Sequence, residues 1–258
     1  MRRAVITGIG VVTPLGVGIE KFWSQVIQNK SGLSYQNDFA DFNFSSKSYG
    51  ILRNFDPAQH DLSACEIRRM DRNAQFGKIA VLEAVHNAGI DMENEIPERI
   101  GINIANAVAG TKFMDEEFIV LTDGGKSSVD VEDASPYSYS KSMPNTTTTE
   151  AAAATKVMGQ AITTATGCTA GIDSVGYAYD SIRFDDADVV IAGAAEAPIT
   201  PVTIAAFEAI CTLSGNNEPP EKASRPFCKT RNGFVLGEGA GVLIVEEYEH
   251  ARKRGANI

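Results

Sequence analysis

Cysteine, histidine and tryptophan are scarce in this sequence: four, three and one among 258 residues. The two closest cysteines, Cys211 and Cys228, stand 17 positions apart, so no CxxC pair exists and zinc-ribbon or thioredoxin readings lack their residues. Apolar runs are short as well. Polar residues and Pro14 break the one after Arg3 before a signal-peptide core forms. No window reaches the roughly 18 apolar residues that a membrane helix needs. Positive charge is outnumbered, 23 Lys and Arg against 33 Asp and Glu, for a net charge of −10. That balance argues against general binding of nucleic acid or an anionic membrane, and any acidic partner must meet a local basic patch. These absences together imply a cytoplasmic protein with reduced thiols.

What is present is a globular mixture, 43% hydrophobic and 22% charged, in a chain long enough to bury a sizeable core. Short apolar runs predict strands at Ala4–Gly8, Ile100–Ala105, Gln160–Thr166, Asp188–Ala192 and within Gly233–Glu246. Between them, helical spacing predicts helices at Lys21–Gln28, Arg72–Asn87, 111–121, Thr147–Met158, Thr169–Arg183 and Val202–Ile210, with a last one from Tyr248. Residues 30 to 62 read as a surface excursion and Asp123–Ser142 as a long loop. The alternation of strand and helix predicts an α/β fold with a partly parallel sheet, in one domain over 1–258. The last residues read as a helix followed by the start of another strand, an ending that points to a missing or separately supplied continuation.

The sharpest local pattern is Thr163-Thr164-Ala165-Thr166-Gly167-Cys168-Thr169-Ala170-Gly171. An apolar strand ends, small residues turn, and a helix begins. The free N–H groups and partial positive charge of a helix start favour a thiolate, and the same N–H groups can hold an oxyanion. Cys168 is therefore a candidate nucleophile, set against the ordinary reading of a buried structural cysteine. Cys65, Cys211 and Cys228 read as packed or incidental thiols, and His60, His86 and His250 as surface or capping residues. Gly8-Ile9-Gly10 lacks the third glycine of a dinucleotide loop, and Gly237-Glu238-Gly239-Ala240-Gly241 lacks the Lys-Ser/Thr of a phosphate loop. Both read as close backbone crossings. Arg68, Arg69, Arg72 and Lys78 form a basic cluster on an acidic chain.

Four stretches resemble the β-ketoacyl synthases of the thiolase superfamily: RRAVITGIGVVTPLG, ATGCTAGIDSVGYA, DADVVIAGAAEAPITP and KASRPFCKTRNGFVLGEGAGVLIVEEYEHARKRGA. They are collinear over essentially the whole chain. IRRMDRNAQFG, EEFIVLTDGG and EAPITPVTIAAFEAI are most similar to the ketosynthase α subunits of bacterial type II polyketide synthases.

The resemblance implies a thiolase-like layered α-β-α-β-α fold, with this chain covering mainly the N-terminal repeat. It also implies that Cys168 carries an acyl chain as a thioester, that Val108 and Phe207 line the acyl pocket, and that Arg68, Arg69 and Arg72 meet an acidic carrier protein. The reaction implied is decarboxylative Claisen condensation with malonyl–carrier protein. It needs no metal or cofactor beyond the phosphopantetheine arm of the carrier. The partners implied are an acyl carrier protein, a chain-length-factor-like β subunit, and a separate C-terminal half if the chain is naturally split. The histidines, lysine and Gly-Phe-Gly loop that the family uses lie past its mid-protein signature, beyond the residues seen here. Cys228 stands where relatives usually carry Asp, and Cys65 and Cys211 where they often carry basic residues. A fatty-acid ketosynthase and a non-catalytic half or scaffold subunit are the competing expectations.

Overall fold

The computed structural model describes residues 2–258. It opens with strand β1 (Ala4–Thr13), the short β2 (Gly16–Val17) and helix α1 (Ile19–Ile27). The small hairpin β3 (Ser34–Tyr35) and β4 (Ser48–Tyr49) precedes α2 (Ala64–Arg69) and the long α3 (Arg72–Ala88). Next come β5 (Ile100–Ala105), α4 (Thr111–Leu121), α5 (Ser138–Ser142), α6 (Thr146–Thr155) and β6 (Ala161–Ile162). The chain continues with α7 (Ala170–Arg183), β7 (Val189–Glu196), α8 (Pro201–Ala209), β8 (Gly239–Glu247) and α9 (Tyr248–Lys253).

Six strands form one sheet in the order β2-β1-β8-β7-β5-β6. β5 is parallel to β6 and β7, whereas β8 is antiparallel to both β7 and β1. β1, β5 and β7 therefore point the same way. Alternation along the strands divides the apolar side chains between two faces. Ile102, Ile104, Val189, Ile191, Val242 and Ile244 pack with Phe76, Ala80 and Ala84 of α3. Val190, Ala192 and Val245 pack with Ala178 and Ile182 of α7 on the other side. This is a helix–sheet–helix sandwich with all six residues of β5 buried.

Gly8 and Gly10 are the close crossing that the sequence implies. A Cβ on Gly10 would sit 1.9 Å from the Ala80 carbonyl oxygen, and one on Gly8 2.4 Å from that of Ala84. The backbones of β1 and α3 thus touch with no side chain between them. α3 also covers the outer rim of β1. Its Glu83 accepts from Val11 N–H at 2.7 Å and Ile19 N–H at 2.5 Å, and its Asn87 accepts from Ile9 N–H at 2.9 Å. Backbone donors that β2 is too short to pair are satisfied in this way.

Four expectations are corrected. The strand read over Gln160–Thr166 is regular only at Ala161–Ile162. The stretch read as a surface excursion contains Tyr49, Ser46 and Ser48, all fully buried, with Tyr49 Oη donating to the Ser46 carbonyl at 2.7 Å. Asp123–Ser142 is not all loop, because α5 forms within it. After α9 the residues to Ile258 adopt no strand.

Candidate active site

The C-terminal ends of β5 and β7 lie at one edge of the sheet, where Ala105 is level with Ala194 and Glu196 with Gly239. In sheets with parallel strands this is the edge where chemistry usually sits. Three segments converge there: the turn after β5, the arm 163–166, and the turn Gly167–Thr169 that enters α7. Gly167 has φ +75°, a conformation that leads the chain sharply into the turn. Cys168 is exposed at its middle. The Thr169 hydroxyl donates to Asp173 at 3.0 Å and the Thr166 hydroxyl donates to the same oxygen, so the turn is clipped from both sides of Cys168. The 14-residue α7 directs its N-terminal N–H groups and positive dipole end toward this turn.

Glu196, at the end of β7, accepts from Ala107 N–H at 2.9 Å and Val108 N–H at 3.2 Å. Burial pushes its carboxyl above the usual range, and the two backbone donors offset part of that rise. Val108 is thereby fixed at the same edge as Cys168. Phe207 lies in a separate apolar cluster with Tyr49, Ile204 and Leu213, its ring edge-on to Phe234 at 5.3 Å. Sequence reasoning missed Glu196. Its signal is a lone carboxylate closing the apolar run that becomes β7.

The basic cluster does not form one free face. Arg68 is exposed. Arg69 makes a bidentate pair with Glu150 of α6 at 2.6 and 2.7 Å. Arg72 is held from several sides. Its guanidinium pairs with the buried Glu238 at 2.6 and 3.0 Å, donates to the Leu52 carbonyl at 2.7 Å, and lies over the rings of Phe76 and Phe55. Lys78, 4% exposed, is paired with Glu66 and Glu150. These charges join α2, α3, α6 and the start of β8.

All four thiols are exposed, so Cys168 is not the buried structural cysteine of its ordinary reading, while Cys65, Cys211 and Cys228 are incidental rather than packed. Cys228 has its thiol lowered, first by a hydrogen bond with the Thr230 hydroxyl and further by backbone N–H groups and Arg225. Each of the three histidines has a different setting. His250 bridges Glu246 and Glu95 at the opposite edge, since Glu246 is level with Val189 at the start of β7. His86 is in the last turn of α3, whose C-terminal end lies toward the start of β1. His60 stacks on Phe55.

The mixed sheet with helices on both faces matches solved structures of thiolase-fold ketosynthases. One is a type II PKS acyl-carrier protein in complex with its ketosynthase bound to the hexaketide. It matches at TM-score 0.90 and 35% identity over 100% of this chain and 61% of that one. The ishigamide ketosynthase/chain length factor matches at TM-score 0.84 and 28% identity, over 100% and 61%. The chain belongs to the beta-ketoacyl synthase family: residues 1–251 match the model described as beta-ketoacyl synthase, N-terminal domain. A relative from Streptomyces halstedii, named as a polyketide beta-ketoacyl synthase 1, is 42% identical over 258 residues, which are 61% of its length. The chain thus spans about three fifths of the curated relatives it matches.

Proposed function

We propose that this chain is the acyl-accepting part of a type II polyketide ketosynthase. The observation that carries the reading is Cys168, exposed on a clipped turn at the start of α7 and at the strand-end edge. The Cys168 thiolate attacks the carrier-bound acyl thioester. Backbone N–H groups of the turn hold the oxyanion, and the carrier's phosphopantetheine thiol leaves with a proton. Malonyl–carrier protein then loses carbon dioxide. Its carbanion attacks the Cys168 thioester, forming the new carbon–carbon bond and releasing the cysteine. The histidines that assist decarboxylation in the family are expected from outside these 258 residues, since His250 is held by Glu246 and Glu95 at the opposite edge, His86 belongs to the last turn of α3 and His60 stacks on Phe55.

In this reading Val108 and Phe207 contact the growing chain, and Arg68, the most exposed of the three arginines, guides an acidic carrier protein. The partners are that carrier protein and a chain-length-factor-like subunit. The only prosthetic group involved is the carrier's own arm, and the setting is the cytoplasm. The test is to incubate the full protein with acyl–carrier protein and locate the acyl group by peptide mass spectrometry, then add malonyl–carrier protein and follow product. Acylation confined to Cys168 and lost in Cys168→Ala is expected. Product formation that survives in Cys168→Ala rejects the reading. Product formed without a chain-length-factor-like subunit moves the assignment to a fatty-acid ketosynthase, and no acylation at all moves it to a scaffold subunit.

A further inference from the structure

The arm that carries Cys168 into place is held in an unusual way. β6 pairs with β5 at only two positions, Ile102 with Ala161 and Asn103 with Ile162. Beyond them the arm is fastened largely by side chains. Asn103 belongs to β5 and is fully buried, on the face opposite its neighbours Ile102 and Ile104. A polar side chain at that depth is costly unless its hydrogen bonds are met. Its Nδ2 donates to Thr164 Oγ1 at 2.9 Å, and its Oδ1 accepts from Thr164 N–H at 3.2 Å. The carboxamide thus replaces the missing ladder for one residue of the arm. Asn106 N–H donates to the Thr164 carbonyl at 3.1 Å and completes the hold.

The backbone of Asn103 holds the other side of the turn. Its carbonyl accepts from the fully buried Ser174 hydroxyl of α7 at 2.6 Å, and that hydroxyl accepts in turn from Gly193 N–H of β7 at 3.0 Å. Cys168 lies between Thr164 and Ser174 in the chain. One residue of β5 therefore binds both the arm entering the nucleophile turn and the helix leaving it. The sequence shows an Asn interrupting an otherwise apolar strand but not its partners, Thr164 and Ser174, which lie 61 and 71 positions away.

We infer that Asn103 is a positioning residue for Cys168: its carboxamide, acting through Thr164, sets where the thiol stands relative to an incoming acyl carbonyl. The inference rests on the reading of Cys168 as the acyl acceptor. Positioning and simple accessibility separate in the two reactions a thiol can undergo. Attack on a thioester needs an oriented sulfur beside the oxyanion donors, whereas alkylation by a small reagent needs only an exposed thiol.

The experiment uses the full protein with octanoyl-N-acetylcysteamine as acyl donor and iodoacetamide as alkylating probe, each followed at all four cysteines by mass spectrometry. In acylation the Cys168 sulfur–acyl bond forms as the N-acetylcysteamine sulfur–acyl bond breaks, and the cysteine's proton ends on the released thiol. Asn103→Val and Thr164→Val are each expected to slow Cys168 acylation on the order of tenfold, while Cys168 alkylation changes less than about twofold. Thr164→Ser, which keeps the hydroxyl, is expected to restore acylation. Alkylation of Cys65, Cys211 and Cys228 stays at parental rates and reports that the fold is intact. Unchanged acylation in both valine variants overturns the inference while leaving the functional reading in place. Acylation and alkylation falling together in Thr164→Val also overturns it, as a loss of structure. A parent protein that is not acylated at Cys168 removes the functional reading, and the inference with it.

Discussion

Cys168 and Cys228 are both exposed, and they separate by the partner each one has. Cys228 shares a hydrogen bond with the Thr230 hydroxyl in an open segment, while Cys168 sits beneath the start of a 14-residue helix on a turn clipped by Asp173. Iodoacetamide is therefore expected to label both, and an acyl thioester only Cys168. Digestion and mass spectrometry after brief exposure to each reagent check this, and equal acylation of the two would contradict it. The same contrast applies to the arginines. Arg68→Glu is expected to leave stability within about 0.5 kcal/mol of the parent and to weaken delivery from an acidic carrier protein, with a salt dependence that the parent shows more strongly. Arg72→Leu leaves Glu238 buried and unpaired at 4% side-chain exposure, so it is expected to cost about 3–5 kcal/mol in denaturant unfolding. Composition cannot separate the two, because a cluster of arginines reads alike whether it faces solvent or a buried carboxylate. The nucleophile was legible because its chemistry is local: strand end, glycine, cysteine and helix start are consecutive. Asn103 and Glu196 were not legible, because their partners lie 61 and 89 positions away.

Elements differ in the same respect. α3 and β5 follow their predicted spans closely, since a long apolar period or a six-residue buried run fixes an element from within. β6 is shorter than its threonine-rich sequence implies, because Thr163 and Thr164 spend their hydrogen-bonding capacity on Thr148 and Asn103 instead of a ladder. The start of β7 depends on charge. Asp188 accepts from Arg99 at 2.8 and 2.9 Å and from Arg2, which ties the chain's beginning to the starts of β5 and β7. The Arg99 guanidinium, foremost, and Arg2 hold the Asp188 carboxyl down at about 2, against the opposing effect of burial. A depressed carboxyl contributes stability that is present above its unfolded value near 4 and is lost as pH falls through about 2. Asp188→Asn is expected to lower stability by about 1–2 kcal/mol at neutral pH and by progressively less from pH ~4 downward. Urea unfolding of parent and variant across that range measures it, and a difference that persists below pH ~2 would exclude this linkage.

The molecule as a whole is lopsided. On the rim of β1, backbone donors are taken up by Glu83 and Asn87, while at the other end of the sheet Ala161 and Ile162 of β6 are exposed beyond β5. An uncovered strand edge is a surface for pairing with another chain. The complete protein is expected to be an oligomer with residues 160–166 at the subunit interface, and Ile162→Glu to shift it toward monomer in sedimentation at micromolar concentration. A monodisperse monomer of the parent would contradict this. The occupied rim of β1 matters here as much as the bare one of β6. A sheet open at both ends could add copies without limit and grow into a fibre. With one end stoppered by α3, joining two bare edges leaves none to extend, so assembly along the sheet is expected to close at two chains, whether identical or merely alike.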